Sequence, residues 1–226
     1  MNNISNLPSI CINNLSYQYE TNLVLDKINL DIYAQEYIGI VGPNGGGKST
    51  LIKLILGILS NKLSNKNKSQ NGSITISKNT KFGYIPQRLS GSGLDFPAKV
   101  SEILQNSFDK FNQAKYDYLL DLCEIRSFET RLLSDLSGGE RQKVFIAKSL
   151  ICEPDFLILD EPTTGIDPKY KIKFWQLLKQ LNQNNKIGII IISHDSHDIL
   201  ANAKRLILID KIIQKDTSPQ HFGHFH

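Results

Sequence analysis

The sequence predicts an α/β protein with a central parallel sheet, an antiparallel β subdomain at the N-terminus and an inserted helical subdomain. Three observations predict this architecture. A glycine-rich loop over residues 42–50 joins the apolar run 37–41 to a helical pattern of apolar residues. The runs 156–159 and 187–192 are continuous apolar segments, which is typical of parallel strands buried on both faces. Helix-like spacing of apolar residues dominates 88–151, so we expect the helical subdomain there.

Length, composition and charge are those of a soluble globular chain. The 226 residues can bury a full core as one large domain or two small ones. A net charge of +4 gives no argument for a nucleic-acid partner, and we expect none. No apolar run approaches the roughly 18 residues that span a bilayer, and the N-terminus lacks the pattern of a secretory signal. Cys11, Cys123 and Cys152 have no metal-ligand spacing and are typical of reduced cytosolic thiols.

The loop GPNGGGKST fits the phosphate-binding pattern G-x-x-x-x-G-K-[ST] and predicts a P-loop NTPase (RecA-like) core. Its glycines let several backbone N–H groups face one anion, and the following helix adds its positive dipole end. In such a loop Lys48 would reach the β- and γ-phosphates, and the Ser49 hydroxyl would hold Mg²⁺. A plain glycine-rich turn is the alternative. The candidate nucleotide-binding residues of the loop are Gly42, Asn44, Gly45, Gly46, Gly47, Lys48, Ser49 and Thr50.

Alternating apolar and polar residues over 10–33 predict a small antiparallel sheet ahead of the loop. Tyr17 and Tyr19 lie on one face of this sheet. An aromatic side chain here could stack on an adenine ring, and Tyr19 is the candidate. Packing within the sheet is the alternative.

The segment after the loop helix is polar and bears several lysines. We predict a solvated loop over 60–72, with contact to an acidic membrane surface as the alternative. Strand character resumes over 73–86. Gln87 therefore follows the carboxyl end of a strand, where open α/β sheets bind their ligands.

The segment LSGGERQ, residues 136–142, predicts a helix start that is also an anion site. Ser137 and Glu140 form the capping box S-x-x-E, which by itself explains these two residues. The box does not explain Gly138 and Gly139, because a glycine in a helix costs up to about 1 kcal/mol relative to alanine. Two glycines at a helix start leave room for an anion to approach the backbone N–H groups. We therefore predict a second phosphate-binding device in this segment.

Polar side chains follow both of the buried apolar runs. Asp160 and Glu161 come after 156–159, where Asp160 suits Mg²⁺ ligation and Glu161 suits activation of an attacking water. A surface turn is the alternative for this pair. His194 follows 187–192 and could hydrogen-bond a γ-phosphate and sense its loss, whereas a structural hydrogen bond is the alternative.

The end of the chain, residues 217–226, carries His221, His224 and His226. We expect a flexible tail there. Imidazoles this close together could also bind a transition metal weakly.

Together these motifs resemble the ATP-binding subunits of ATP-binding-cassette (ABC) transporters over essentially the whole chain, since LSGGE is the signature of that family. The resemblance implies the ABC ATPase fold, with one ATP-binding domain over residues 1–226. It implies ATP and Mg²⁺ as cofactors and hydrolysis of ATP to ADP and phosphate. In this family the signature of one subunit closes on ATP held by the phosphate loop of another, so a second copy of the chain is an expected partner.

The resemblance also implies roles for single residues. Tyr19 is the adenine-stacking aromatic, and Gly165, Ile166 and Asp167 form the loop at the dimer seam. Gln87 is the coupling-loop glutamine, Glu161 the catalytic base and His194 the switch histidine. The implied catalytic residues are Lys48, Gln87, Glu161 and His194. The implied nucleotide contacts outside the phosphate loop are Tyr19, Ser137, Gly138, Gly139, Glu140 and Asp167. The implied Mg²⁺ ligands are Ser49, Gln87 and Asp160.

A narrower resemblance lies in FGYIPQR and LDFPAKVSEIL, within residues 82–104, which look like the zinc, manganese or iron uptake branch. It implies import of a divalent transition metal, zinc or manganese, through separate integral membrane permease subunits. An extracytoplasmic substrate-binding protein belongs to such a system, and the chain would lie on the cytoplasmic face of the inner membrane. Gly46 replaces the more usual Ser, Ala or Cys, and residues 140–143 depart from the glutamine-rich form common in that branch.

Other functions share most of these motifs. An importer or exporter of another cargo has the same catalytic residues, and a non-transport ABC protein acting on a soluble partner has the same motor. A small-molecule kinase with a P-loop would leave LSGGE unexplained.

Overall fold

The structure is a computed structural model that describes residues 7–59, 68–87, 97–163, 167–194 and 196–222, with the backbone alone for 68–70, 196 and 197. It divides into two compact units. The first unit lies within residues 1–80 and 190–226, and the second unit lies within residues 81–189. The strands are β1 (Ile10–Tyr19), β2 (Asn22–Ile32), β3 (Tyr37–Val41), β4 (Lys68–Ile76), β5 (Phe82–Ile85), β6 (Phe156–Asp160), β7 (Gly188–Ser193), β8 (Arg205–Asp210) and β9 (Ile212–Thr217). The helices are α1 (Lys48–Ile55), α2 (Val100–Gln105), α3 (Gln113–Leu122), α4 (Gly138–Leu150), α5 (Pro168–Gln183) and α6 (Ser196–Asn202).

An antiparallel sheet in the order β2-β1-β4 forms one part of the first unit. β1 and β2 pair antiparallel, with Ile10 opposite Ile32 and Tyr19 opposite Asn22. The buried residues of β1 are apolar and are interrupted by polar ones, as half-buried strands require. The structure thus confirms the antiparallel β subdomain predicted from residues 10–33.

Strand β4 corrects the prediction that 60–72 is a solvated loop. It begins at Lys68, and its backbone pairs antiparallel with β1 from Lys68 opposite Tyr19 to Ile76 opposite Ile10. β4 lies at the edge of its sheet, where polar side chains are tolerated on a strand with one hydrogen-bonded neighbour. Backbone pairing therefore outweighs the polar composition of this segment. Residues 60–67 lie outside the described residues.

The remaining strands of the first unit follow the order β7-β3-β8-β9, and strand β7 has residues in both units. β3 and β8 pair parallel, with Ile38 opposite Arg205, and β9 pairs antiparallel with β8. All five residues of β3 are buried. This burial explains why the sequence ahead of the phosphate loop is a continuous apolar run rather than an alternating one.

In the second unit the strand order is β5-β6-β7, and β5 and β6 are parallel. β6 and β7 are buried along their whole length, which confirms the two predicted buried strands. Helices α2, α3 and α4 come between β5 and β6 in the chain, as predicted for 88–151. The first of them begins at Val100, and residues 88–96 lie outside the described ones. Within the described ranges, no helix combines the length and the apolar character that a membrane span requires.

The segment after β9 packs against its own strand in the first unit. A short 3₁₀ helix over Pro219–His221 follows β9, and Phe222 is buried at 3% exposure. The carbonyl of Phe222 accepts a hydrogen bond of 2.6 Å from Lys215 Nζ. Of the tail predicted as flexible, residues 223–226 lie outside the described residues, and His224 and His226 with them.

Arg205, at the start of β8, links four segments of the first unit. Its guanidinium donates to both carboxylate oxygens of Glu36 at 3.1 Å, to Asp216 at 2.6 and 2.7 Å, and to the carbonyl of Asp31 at 2.8 Å. The side chain is 23% exposed. Because these partners are mostly shielded from water, removing the guanidinium would leave two carboxylates poorly solvated.

We predict that Arg205→Ala lowers the free energy of unfolding by about 2 kcal/mol, since it leaves half-buried carboxylates without their partner. Arg126→Ala is the matched control, because Arg126 also binds two carboxylates, those of Asp117 and Asp121, but is 47% exposed. Exposed ion pairs contribute little to stability, so this control should lose much less. Urea unfolding of both variants tests the difference, and equal losses would contradict a special role for Arg205.

Candidate active site

The phosphate loop connects β3 to α1 in the first unit. Helix α1 begins at Lys48, and Gly47 precedes it as the N-cap residue in a left-handed conformation with φ of 96°. A glycine cap offers no side-chain acceptor to the first N–H groups of the helix, and α1 has no acidic residue in its first turn. These features suit the start of α1 to an external anion, as the sequence predicts.

Lys48 is held across the phosphate loop by backbone carbonyls. Its ammonium donates to the carbonyl oxygens of Gly42 at 2.8 Å and Pro43 at 2.9 Å, and the residue is only 6% exposed. A buried ammonium requires such acceptors because burying an unpaired charge is costly. The lysine predicted to reach the phosphates is thus already fixed within the loop.

The turn between β8 and β9 supports the loop from behind. A Cβ atom on Gly42, whose φ is +146°, would lie 2.0 Å from the carbonyl oxygen of Ile209. The N–H of Lys211 donates to the carbonyl of Gly46 at 3.0 Å, and its own carbonyl accepts from the N–H of Asp26 at 2.7 Å. A Cβ on Gly46 would lie 2.9 Å from the same Ile209 oxygen, so glycine suits this position in this structure. Sequence reasoning missed this support because it is made of backbone atoms.

Other predicted residues of the first unit differ in exposure. Asn44 and Gly45 are exposed in the loop, whereas Ser49 and Thr50 are half-buried in the first turn of α1. His194 is exposed and follows β7, the strand next to β3.

Tyr19 ends β1 and packs edge-on against Tyr17, with ring centroids 5.0 Å apart. Tyr17 is 2% exposed, whereas Tyr19 is half-buried and so keeps part of its ring accessible. Tyr17 is thus a packing residue, and Tyr19 packs on it while keeping a surface on which a base could stack, so the role of Tyr19 stays a prediction.

Asp160 ends β6 in the second unit, and Glu161 follows it directly. Asp160 is 4% exposed and Glu161 is 9% exposed. Tyr84 lies on the adjacent strand β5, opposite Ile158. Burial, together with the Asp160 carboxylate beside it, raises the pKa of Tyr84 to about 12. The phenol of Tyr84 is therefore neutral at physiological pH.

The backbone of Glu161 is in the left-handed region, with φ of +51°. A residue with a Cβ pays about 1–2 kcal/mol for this conformation. The chain continues through Pro162, whose carbonyl accepts a hydrogen bond from the buried amide of Gln142 on α4. This hydrogen bond holds the segment that follows the two carboxylates. A glutamine on the apolar face of a predicted helix needs a buried hydrogen-bond partner, and this was the signal in the sequence that could have revealed the contact.

Gln87 lies two residues beyond the end of β5 and is exposed. Because β5 and β6 are parallel, with Ile85 opposite Leu159, Gln87 and Asp160 follow the carboxyl ends of neighbouring strands. The second unit therefore brings these two predicted residues to the same edge of its sheet.

The start of α4 contains the predicted capping box. Ser137 is the N-cap, its hydroxyl accepts from the N–H of Glu140, and the Glu140 carboxylate accepts from the Ser137 N–H at 2.8 Å. Burial opposes ionisation of Glu140, but the Ser137 N–H and hydroxyl and the nearby Arg131 outweigh it and lower the pKa of this carboxyl. Arg141 binds back to the carbonyl of Leu136 at 2.8 Å and so fixes the segment ahead of the helix.

The two glycines of the signature differ in their surroundings. A Cβ on Gly139 would lie 2.9 Å from the ring of Tyr170 on α5, so packing alone requires glycine there. Among the described residues, no atom lies within 4 Å of a Cβ built on Gly138. The room for an anion that the sequence predicted is therefore found at Gly138, and Tyr170 is a structural determinant that the sequence analysis missed.

Asp167 is the N-cap of α5. Its carboxylate accepts the N–H of Lys169 at 2.8 Å, ahead of Pro168 in the first turn. Helix capping explains this aspartate without a ligand. Gly165 and Ile166, the other residues predicted at a dimer seam, lie outside the described residues.

The chemistry of the predicted Mg²⁺ ligands fits that ion. Mg²⁺ prefers oxygen ligands, and Ser49, Gln87 and Asp160 all offer oxygen. A single carboxylate is enough where substrate phosphates complete the coordination shell of the ion. Within the described residues, no group of three or more His, Cys, Asp or Glu side chains forms a dedicated metal cluster. A site shared with nucleotide phosphates suits this donor set.

A model of the family described as "ABC transporter" matches residues 25–164, more than half of the chain. The chain belongs to the ABC transporter family. Together with the fold and the motifs, this membership identifies an ABC ATPase and confirms the predicted fold class and ATPase activity.

The similarity to known proteins covers nearly the whole chain of this ABC ATPase. The zinc uptake system ATP-binding protein ZurA of Listeria innocua is 34% identical, covering 95% of this chain and 87% of that protein. The zinc import ATP-binding protein ZnuC of Psychrobacter arcticus is 34% identical, covering 99% of this chain and 88% of that protein. Among solved structures, cbiO1 from Clostridium perfringens, part of the ABC transporter complex cbiONQ, is 26% identical with a TM-score of 0.80, covering 94% of this chain and 89% of that one.

We predict that Gly42→Ala lowers the free energy of unfolding by about 2 kcal/mol more than Gly45→Ala. Both glycines have positive φ, so both substitutions strain the backbone, but only at Gly42 does a Cβ collide with a carbonyl oxygen. Gly45 has no atom of the described residues within 4 Å of that position. Urea unfolding without nucleotide separates this effect from phosphate binding, and equal losses would contradict the packing of the loop on Ile209.

We also predict that Glu161→Gly is more stable than Glu161→Ala by about 1 kcal/mol, because glycine adopts the left-handed backbone without strain. Both variants lack the carboxylate and should hydrolyse ATP poorly, so the comparison isolates the backbone. Thermal and urea unfolding of the two purified proteins provide the measurement. An alanine variant of equal or greater stability would refute the strain.

Proposed function

We propose that this ABC ATPase drives the import of a divalent transition metal, with zinc as the first candidate and manganese as the second. The observation that carries the proposal is the similarity to zinc uptake and zinc import ATP-binding proteins, which extends over 95–99% of the chain. The segment 82–104, with FGYIPQR, agrees with the same branch. A different cargo remains the main competing function, because the ATPase residues are shared across the family.

Nucleotide binding rests on the phosphate loop. The start of α1 and the backbone of residues 42–47 would receive the phosphates, and the ammonium of Lys48 would exchange its carbonyl partners for phosphate oxygens. Tyr19 offers the half-buried ring for the adenine base. Ser49, Asp160 and Gln87 would hold Mg²⁺, which supplies positive charge at the phosphate oxygens.

Hydrolysis proceeds by in-line attack of water on the γ-phosphate. Glu161 orients and deprotonates this water, a contribution typically of order 10² to 10⁴ in rate. The carboxylate is 9% exposed and stands on a constrained backbone, so it is held in place before substrate binds. Lys48 stabilises the charge that develops on the transferred phosphoryl group, and His194 hydrogen-bonds the γ-phosphate and responds to its loss.

A second copy of the chain completes the ATP site. Among the described helices, the starts of α1 and α4 are the two predicted to bind anions, whereas the sequence contains one phosphate loop. The signature of one copy, with open space at Gly138, would close on ATP held by the phosphate loop of the other. The Ser137 hydroxyl now donates to Glu140 at 2.8 Å, so this bond would be exchanged for one to phosphate on closure.

The dimer would act on integral membrane permease subunits at the cytoplasmic face of the inner membrane. Binding of ATP closes the dimer and hydrolysis opens it, and Gln87 with the helical region passes this motion on. The metal crosses through the permease and need not touch this chain. An extracytoplasmic substrate-binding protein would deliver the metal to that permease.

We predict that cells lacking this chain have a lower zinc content when zinc is limiting, because import loses its motor. Elemental analysis of zinc, manganese and iron, with each metal limiting in turn, provides the measurement. Wild type should restore the content, whereas Glu161→Gln should not, since it keeps the fold but loses the base. Glu153→Gln, a change at a carboxylate that is 74% exposed, is the matched control and should restore it.

The three metals distinguish the competing cargoes. A deficit in manganese alone would move the proposal to the second candidate. Unchanged content of all three metals would overturn metal import and leave an ABC ATPase with another cargo. A purified Glu161→Gln protein with wild-type turnover would remove Glu161 from the role of base.

A further inference from the structure

The first turn of α4 lies against the first turn of α5 in the second unit. A Cβ atom built on Gly139 would lie 2.9 Å from Cδ1, 3.0 Å from Cγ and 3.2 Å from Cβ of Tyr170. The ring of Tyr170 therefore occupies the space that a side chain at position 139 would need, in van der Waals contact with the backbone of α4. Tyr170 is itself held in place, because its N–H donates to the carbonyl of the N-cap residue Asp167 at 3.0 Å.

An ion pair joins the same two helices one turn further along. The carboxylate of Glu124, in the turn after α3, accepts from Lys143 of α4 at 2.7 Å and from Lys173 of α5 at 3.3 Å. These lysines lie four residues after position 139 and three residues after position 170, so each shares a helix face with the ring contact. The ring and the ion pair thus hold α4 against α5 at two successive turns.

The two glycines leave the start of α4 with little support of its own. Glycine loses more backbone freedom on folding than other residues, and it has no side chain to pack. The capping box fixes Ser137 and Glu140 on either side of the glycines. The ring of Tyr170 restrains Gly139 between them, while no described atom lies within 4 Å of a Cβ built on Gly138. The turn is therefore supported on the side of α5 and open at Gly138.

We propose that Tyr170 is a positioning residue of the ATPase reaction, whose ring fixes the first turn of α4 where the signature meets ATP held by a second copy. The inference rests on the proposed ATP site that two copies share. The N–H groups and the Ser137 hydroxyl at this helix start would contact the phosphates, so a shift of the turn would misplace them. Phenylalanine at position 170 supplies the same ring, whereas alanine leaves the turn without this support.

The test uses full-length Glu161→Gln protein as the parent, so that ATP is bound without turnover. Tyr170→Ala, Tyr170→Phe and the control Tyr118→Ala are each added to this parent. Tyr118 is a tyrosine of the same unit that is 49% exposed. Binding of a fluorescent ATP analogue to dilute, monomeric protein measures the phosphate-loop site alone. Analytical ultracentrifugation over a range of protein concentrations then measures dimerisation with ATP.

Monomeric Tyr170→Ala should bind ATP as the parent does, because its phosphate loop is unchanged. Its ATP-bound dimer should have a dissociation constant about 10-fold higher, since a misplacement of 1 Å can cost up to about 100-fold. Tyr170→Phe and Tyr118→Ala should dimerise like the parent. Parent-like dimerisation of Tyr170→Ala overturns the proposal, and so does an equal loss in Tyr170→Phe, because the ring is then not the acting group. A loss of ATP affinity in the Tyr170→Ala monomer also overturns it, because it shows a general structural defect.

A second pair of variants tests the same contact from α4. Gly139→Ala adds the colliding Cβ and should dimerise poorly. Adding Tyr170→Ala to it removes the ring atoms at 2.9 and 3.0 Å and should restore part of the dimerisation, while the Cβ of residue 170 stays at 3.2 Å. A double variant that dimerises no better than Gly139→Ala overturns the proposal.

The parent protein separates this failure from failure of the proposed function. If it binds ATP but stays monomeric, the shared site is wrong, and the role of Tyr170 falls with it. If it dimerises with ATP while cellular zinc is unaffected by loss of the chain, the cargo is wrong, and the result for Tyr170 stands.

Discussion

The need of a buried ammonium for oxygen acceptors shapes the phosphate loop. Lys48 is almost fully buried, and the loop curls back so that the carbonyls of Gly42 and Pro43 accept from it. An unpaired charge in this position would destabilise the fold by several kcal/mol. The curl that satisfies the lysine is also the conformation in which successive N–H groups can face one anion. One interaction thus stabilises the protein before nucleotide arrives and prepares it for the phosphates.

In the second unit, a hydrogen bond from α4 holds the segment that follows the two carboxylates. Gln142 donates it to the carbonyl of Pro162, just beyond Glu161. Glu161 itself adopts a strained backbone, which persists because its surroundings determine it. Since Gln142 lies on α4, the helix that begins with the signature also holds the segment that follows Asp160 and Glu161.

Much of the fold follows from patterns that are local in the sequence. The buried runs before Asp160 and His194, the glycine-rich loop and the capping box of Ser137 and Glu140 each have a physical signature within a few residues, and the structure contains all of them. The start of β4 at Lys68 was predicted wrongly, because pairing with a distant strand decided it rather than composition. The assigned roles of single site residues stay predictions.

The residues that the sequence analysis missed act through partners far away in the chain. The ring of Tyr170 requires glycine at position 139, and Arg205 binds the carboxylates of Glu36, just before β3, and Asp216, on β9. No spacing rule links such positions, since register and packing bring them together only in the folded chain. The capping role of Asp167 was within reach, because an aspartate directly before Pro168 is a helix-start signal.

The support of the phosphate loop by the turn between β8 and β9 has a consequence for evolution. The contacts at this turn are made by the N–H and carbonyl of Lys211 and by the carbonyl of Ile209, and the Lys211 side chain is exposed. The backbone of Lys211 is left-handed, with φ of +60°, so glycine, asparagine and aspartate can supply these backbone groups at position 211 with little strain, whereas proline cannot. Selection can therefore preserve the contact while the side chain changes among residues that tolerate this backbone, so that a comparison of homologous sequences would show variation at a position that supports the phosphate loop.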